Sequence, residues 1–386
     1  MWTSTRPAAE ALDSADELAG LRAHYNLPPG LIRLDGRSGG PHPRTTARLR
    51  RFVEHRWDLR SARPRSDADW RREARSAAAA LAPLVGAAPG ELNIAESTST
   101  PLFKALIAAA RLRPDRPVLA VGRDCFLTDH YVARSAAEFA GRRLWLFDGV
   151  EQLADLPADE VAVVALSHTD RFSGAVRDAG EITERIHRAG ALALWDLSGS
   201  AGALDVDLHA WEADFALGCG YRYLGGGAGA PAYCFVAERH RNGSRDSGCD
   251  AAGVLHPLSG GFAEPASGLA LSELRTGLSI LDGVGPAALA AKTAGLVDLF
   301  LRRLRENCAD ACIEAVAPPD GRPHGAEVNL RHPLAQRVAD ELSNRGVLVE
   351  HAEPDVLRCS FAPSWLRYVD VWEATDQLHD VLHAVA

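Results

Sequence analysis

Four groups of polar residues stand directly behind short apolar runs of this chain. They are 124–129, ending in Asp129; Ser167, His168, Thr169 and Asp170; Asp196; and 219–223, with Tyr221 and Arg222. Carboxylates, a histidine, a tyrosine and an arginine gathered in one place could bind an anion and move protons. An aspartate behind a strand also serves as a helix cap or turn former, so each group alone says little. A fifth feature is Glu96-Ser97-Thr98-Ser99-Thr100-Pro101, ahead of an apolar helical run that begins at Leu102. Hydroxyl residues with a proline in the first turn make a helix N-terminus whose N–H groups can bind phosphate or carboxylate. The same pattern also reads as a plain N-cap.

What the chain lacks is as informative. Of its 42 Lys and Arg residues, only Lys104 and Lys292 are lysine. Any mechanism that needs a lysine amine must use one of these two, and both are expected on the solvent-facing surface. The seven cysteines are an odd number without the paired spacing of a disulfide framework. Cys308 and Cys312 are expected to share one helix face, and a metal there would need two further ligands that do not stand out.

The elements that would position these groups follow from the apolar pattern. Runs at 118–121, 144–147, 161–166, 191–195, 215–217 and 232–236 are mostly continuous rather than alternating, which suits strands buried on both faces. Helical patterns fall between several of them; Ile182 and Ile186 are followed by Gly190 as a helix stop. This alternation predicts an α/β fold with a mainly parallel sheet, whose carboxyl edge would collect the four polar groups. The runs 215–217 and 232–236 are expected to pair antiparallel around a turn at 225–229. Later come a long amphipathic helix at 285–305, short strands at 328–330, 347–349 and 356–360, and a last helix at 368–385. The expected division is an irregular N-terminal arm over 1–60, with a loop at 31–43, a large domain over 61–270 and a small α+β domain over 271–386. A length of 386 residues accommodates two or three such units of about 150 residues each. The net charge of −9 argues against a nucleic-acid partner. No run of 18 apolar residues suggests a membrane span, and the first 30 residues lack the apolar core of a signal peptide, so a cytoplasmic protein is expected.

Taken together, the motifs resemble those of kynureninase, a fold-type-I pyridoxal-phosphate (PLP) enzyme of the class-V aminotransferase superfamily. Leu34 to Pro41, Cys125 to Tyr131, Ser167 to Gly174, Trp195 to Gly202, Gly218 to Leu224 and Pro354 to Arg358 each look like a motif of that family, across nearly the whole chain. The resemblance implies a PLP-transferase large domain and a small C-terminal domain. It also implies roles by position. Thr98 and Ser99 would lie at the phosphate, Phe126 on the pyridine ring with Asp129 beside it, and Asp196 on the ring nitrogen. Tyr221 and Thr276 would complete the cofactor contacts. Arg358, with Ser38 and Phe262, would meet the substrate.

Three departures fall in the same pocket. Arg222 stands where the family has the lysine of its Schiff base, Gly199 where it has a histidine, and Gly261-Phe262-Ala263-Glu264 where it has "W-W-G-H". A guanidinium stays protonated and cannot form that Schiff base. The expectation is therefore a kynureninase-like lyase or hydrolase of specialised metabolism that works without an internal Schiff base. Arg222, Tyr221, His168 and Asp196 would do acid–base work on an amino-acid-derived carboxylate. No cofactor would be held covalently and no metal is called for. The alternatives are an enzyme holding PLP or pyridoxamine phosphate non-covalently, and a catalytically silent homologue acting as a binding subunit. By resemblance the protein is expected to be a homodimer.

Overall fold

In the computed structural model, residues 5–36, 41, 43–44, 50, 54, 67–155, 159–241 and 267–385 are described. The order of elements is α1 (Arg6–Ala15), β1 (Ile32–Arg33), α2 (Asp67–Leu81), β2 (Leu92–Ala95), α3 (Ser99–Leu112), β3 (Val118–Gly122), α4 (Leu127–Ala140), β4 (Arg143–Phe147), β5 (Val161–Ser167), α5 (Ala179–Arg188), β6 (Leu192–Asp196), β7 (Phe215–Cys219) and β8 (Ala232–Val236). There follow α6 (Gly268–Ile280), α7 (Pro286–Asn307), β9 (Glu314–Ala315), β10 (Glu327–Arg331), α8 (Ala335–Asn344), β11 (Val347–Leu348), β12 (Glu350–Ala352), β13 (Val356–Ser360) and α9 (Tyr368–Val385).

The large sheet has the order β2-β8-β7-β6-β5-β3-β4. Only β8 runs against the others, pairing antiparallel with both β7 and β2. Period two divides each strand between two cores. On β6, Leu192 and Leu194 face the layer containing α3 and α4, while Ala193 and Trp195 face the opposite layer. On β5, Ala165 joins the first layer, and Val164 and Leu166 join the second. A smaller antiparallel sheet, β12-β13-β10-β9, has its apolar face (Val328, Leu330, Leu357, Cys359) in a third core shared with α7, α8 and α9.

Several expectations are corrected. Part of the arm expected over 1–60 is regular among the described residues. Residues 6–15 form α1, with a proline at its start, and β1 pairs parallel with β11. Within the loop expected at 31–43, residues 37–40 and 42 lie outside the described residues. Lys292 does not reach solvent. It is 6% exposed, and its Nζ lies 2.6 Å from Asp16 Oδ2. The cause is the N-terminal segment, whose Asp16 meets α7 on the stripe formed by Leu289, Lys292, Thr293 and Leu296. Lys104 is half-buried, and burial lowers its pKa; Cys234 of β8 is the charge neighbour it feels. Cys308 and Cys312 share no helix face, because α7 ends at Asn307 with Cys308 as its cap. The division expected at 270/271 falls inside α6, whose Leu271, Leu274 and Leu278 belong to the core of the large sheet.

Candidate functional site

Asp196 is the last residue of β6 and continues the face of Leu192 and Leu194. Its Oδ1 accepts a hydrogen bond from the Ser198 N–H at 2.9 Å, which folds the chain sharply back after the strand. Asp129 approaches from above the strand edge, in the first turn of α4. The two carboxylates sense each other. Burial, and then the charge of Asp196, push the Asp129 carboxyl up to about 7, against the backbone of Phe126 and the guanidinium groups of Arg222 and Arg171. Carboxylates forced together in a poorly solvated place cannot both ionise freely, so near neutral pH Asp129 can hold or release a proton.

The cations come from three elements. Arg222 follows β7, and its side chain is 13% exposed. Its Nη1 lies 3.8 Å from Glu327 Oε1, an ion contact too long for a hydrogen bond. The buried Nε finds no hydrogen-bond partner. Burial pulls the Arg222 pKa down, but Cys219, Glu327, Tyr221 and Tyr223 outweigh it and raise it, so the group stays a cation. Arg171 donates from Nη1 to the Cys125 carbonyl at 3.1 Å and lies over the rings of Phe126 and Phe172, 5.9 and 5.0 Å from their centroids. Arg358 sits on β13 directly opposite Asn329 of β10, and Glu327 is opposite Ser360. By period two these four form the polar face of the small sheet. That face is turned toward the large unit, because Asn329 Nδ2 donates to the carbonyls of Arg171 and Phe172 at 3.0 and 2.7 Å.

A buried network fixes the loop that carries Arg171. Arg177 donates to Asp124 Oδ2 at 2.7 Å, to Asp170 Oδ2 at 3.1 Å and to the Ser167 carbonyl at 2.7 Å. Asp170 in turn accepts from the backbone of Phe172 and Ser173. The loop is thereby pinned across the ends of β3 and β5.

The structure brings Asp129, Asp196, Tyr221 and Arg222 together. Tyr221 is raised to about 12, first by Cys219 and then by burial, so it stays a protonated phenol. Phe126 caps α4 beside Arg171 and is 50% exposed. Thr98 and Ser99 open α3, both half-buried, and Thr98 makes no side-chain cap. Thr276 turns its hydroxyl to the Ser272 carbonyl of its own helix, 2.9 Å away. Ser38 and Phe262 lie outside the described residues.

His168 is set apart. It continues the face of Val164 and Leu166, and its ring packs against Trp211 and Trp195 with centroids 4.7 and 6.3 Å apart. Burial and Arg177 push its pKa down to about 4, so it is a neutral core residue rather than a proton carrier of the pocket. At Gly199 an added Cβ would fall 2.3 Å from Thr169 Oγ1. The space of any side chain at 199 is therefore taken by Thr169.

Sequence reasoning missed Glu327 and Arg171. The alternation Glu327-Val328-Asn329-Leu330 marks a strand with one polar face, and that was the available signal for Glu327. Nothing local says that this face meets Arg222.

The chain matches two known families, "Kynureninase C-terminal domain" over residues 289–378 and "Aminotransferase class-V" over residues 142–230. It is 36% identical over 411 residues to a kynureninase of Burkholderia pseudomallei (strain K96243), covering 99% of this chain and 96% of that protein. It is 34% identical over 408 residues to a kynureninase of Pseudomonas fluorescens, covering 98% and 96%. Among solved structures it is similar to the apo cysteine desulfurase of Thermococcus onnurineus NA1, with a TM-score of 0.73 at 15% identity over 95% of this chain and 98% of that one. It is also similar to an alanine–glyoxylate aminotransferase of Nostoc sp., with a TM-score of 0.65 at 18% identity over 93% and 96%. These two likenesses carry the fold alone.

Proposed function

The chain belongs to the kynureninase family, and we propose that within that family its pocket does acid–base chemistry on an amino-acid-derived carboxylate without a lysine-bound cofactor. A PLP group held through a lysine does not fit the residues present. Lys292 is closed onto Asp16, Lys104 lies beside Cys234, and the motif position of the family lysine carries Arg222. The observation that carries the reading is the buried Arg222 fork, held near Glu327 without a hydrogen bond and set beside the Asp129–Asp196 pair.

In this reading Arg222 and Arg358 take the carboxylate of the substrate, since a planar guanidinium offers two parallel donors to two oxygens. Asp129 holds or accepts the proton, and the charge of Asp196 keeps its affinity for that proton high near neutral pH. Tyr221 supplies a phenol O–H as donor. The reaction class is lyase or hydrolase, in specialised metabolism. Phe126, Leu127, Tyr131 and Phe172 are exposed large apolar side chains close to the pocket in the chain, which supports the homodimer implied by the resemblance.

Two measurements test this. First, the purified protein is given PLP and then borohydride. The expected result is no reducible adduct on Lys104 or Lys292, and such an adduct would sink the proposal; a bound but unreducible cofactor would favour non-covalent PLP instead. Second, binding of acetate, benzoate and L-alanine is followed by calorimetry. Arg222→Ala and Arg358→Ala should each weaken carboxylate binding by tenfold or more. Unchanged binding in both would leave the carboxylate role without support.

A further inference from the structure

Arg222 is drawn toward the small sheet as well as the large one. It follows β7, whereas its carboxylate neighbour Glu327 opens β10, over 100 positions later. Both side chains are largely buried, at 13% and 10% exposure, and 3.8 Å separates Nη1 from Oε1. Glu327 is held in place by the strand itself. Its backbone pairs with Ser360, and its carbonyl lies against Gly174, where an added Cβ would come within 2.4 Å. The paired backbone fixes where the Glu327 side chain starts, and its burial keeps the carboxylate near whatever cation occupies position 222.

We propose that Glu327 is the positioning residue for the cation at 222, and that it would hold a lysine amine placed there in its protonated form, so one substitution does not return this pocket to Schiff-base chemistry. This rests on the reading that position 222 is that of the family lysine. The chemistry is direct. An amine adds to an aldehyde carbon only through its free lone pair, with loss of water, and a nearby buried carboxylate favours the ammonium that lacks that lone pair. The other groups around position 222 are Cys219, Tyr221 and Tyr223 from β7 and the turn after it, Asp129 from α4 and Asp196 from β6. The Cys219 thiol and the Tyr221 phenol are neutral near pH 7 because burial and their neighbours raise them. Asp129 is raised to about 7 and Asp196 stands beside it, and of these carboxylates Glu327 is the one whose charge acts most strongly on Arg222.

The test compares Arg222→Lys with Arg222→Lys/Glu327→Gln. Each full-length protein is incubated with PLP from pH 6 to 10 and reduced with borohydride, which delivers hydride to any imine carbon. The label at residue 222 is then read by peptide mass. The expected result is at least tenfold less label in the single variant at pH 7, with its labelling midpoint displaced to higher pH. Arg222→Lys/Glu327→Asp draws the carboxylate back by one methylene and should fall between the two; it also serves if the Gln protein does not fold. Equal labelling of the variants at pH 7, or no label at 222 in any of them at any pH, would overturn the proposal. Carboxylate binding by the unsubstituted chain is a separate measurement, so failure here and failure of the proposed function remain distinguishable.

Discussion

Two buried ion pairs join distant parts of this chain, and they are built differently. Lys292–Asp16 is closed: 2.6 Å between charged atoms, with side chains 5% and 7% exposed, at a seam between α7 and the N-terminal segment. Arg222–Glu327 is open: 3.8 Å, no hydrogen bond, and a buried Nε–H without a partner. A closed pair has its desolvation offset by contact and orders the fold. An open one leaves donor capacity that a ligand can use. The neighbourhoods agree with this division. Around Lys292, Asp13 accepts the backbone N–H groups of Tyr368 and Val369, and Asp370 takes Arg22 and Arg367, so the carboxylates of the seam are each engaged. Around Arg222, the carboxylates of Glu327 and Asp129 meet its guanidinium through their charges.

The comparison breaks first at the seam. Lys292→Met leaves Asp16 buried without its cation and should cost about 3–5 kcal/mol in urea unfolding. Lys292→Met/Asp16→Leu should recover most of that, and carboxylate binding should stay unchanged in whatever protein folds. Arg222→Met should cost less stability, about 1–3 kcal/mol, yet abolish that binding. The reverse pattern would exchange the roles of the two pairs.

His168 tests the same division within one strand end. It neighbours the pocket in sequence but faces the core. Its folded pKa of about 4 lies below the ordinary 6.5. The unfolded chain therefore takes up a proton that the folded chain refuses as pH falls from about 6.5 toward 4. The stability lost across that window is at most roughly 3 kcal/mol. His168→Phe should flatten that part of the profile and leave ligand affinity as it was. Loss of binding in this variant would return His168 to the pocket.

Gly199 stands three residues behind Asp196. Gly199→Ala drives a methyl into Thr169 Oγ1 and should cost about 1–3 kcal/mol, relieved when Thr169→Ala is added. If Gly199→Ala is neutral alone, the loop opens more readily than its geometry implies.

Much of this architecture was legible from the chain. Continuous apolar runs located every strand of the large sheet except β2, and the reversal at β8 followed from the glycine-rich turn before it. Asp196 and Arg222 were legible as residues behind strands. The side on which a residue falls was legible too, but only by counting. Val164, Leu166 and His168 share a parity, and that parity is the core's. Lys292 could have been recovered by the same arithmetic, since 289, 292, 293 and 296 form one helical stripe. Glu327 could not, because its meeting with Arg222 is made by the packing of two units and no local pattern carries it. The helix at 6–15 was hidden by short length and polar composition, and the contacts of α1 with α9 supply the order that local propensity lacks.

The smallest predicted effect bears most directly on the open pair. The Asp129 carboxyl titrates near 7 when folded, against an ordinary value of 3.8. A raised acid contributes stability that is fully present below about 4 and is lost as pH rises through 7, because the unfolded chain ionises first. The same ionisation adds a negative charge beside Asp196 and within the field of Arg222. Carboxylate affinity should therefore fall several-fold between pH 6 and 8, on the order of 1 kcal/mol. Asp129→Asn keeps the shape and removes the charge, so calorimetric affinity should become flat across that interval. The closed pair at Lys292 lies at the seam between α7 and the N-terminal segment, away from this carboxylate pair, and Lys292→Arg should leave the affinity profile as it was. A profile that keeps its slope in Asp129→Asn would mean that another group near Arg222 carries the proton, and the acid–base role would pass from Asp129 to that group.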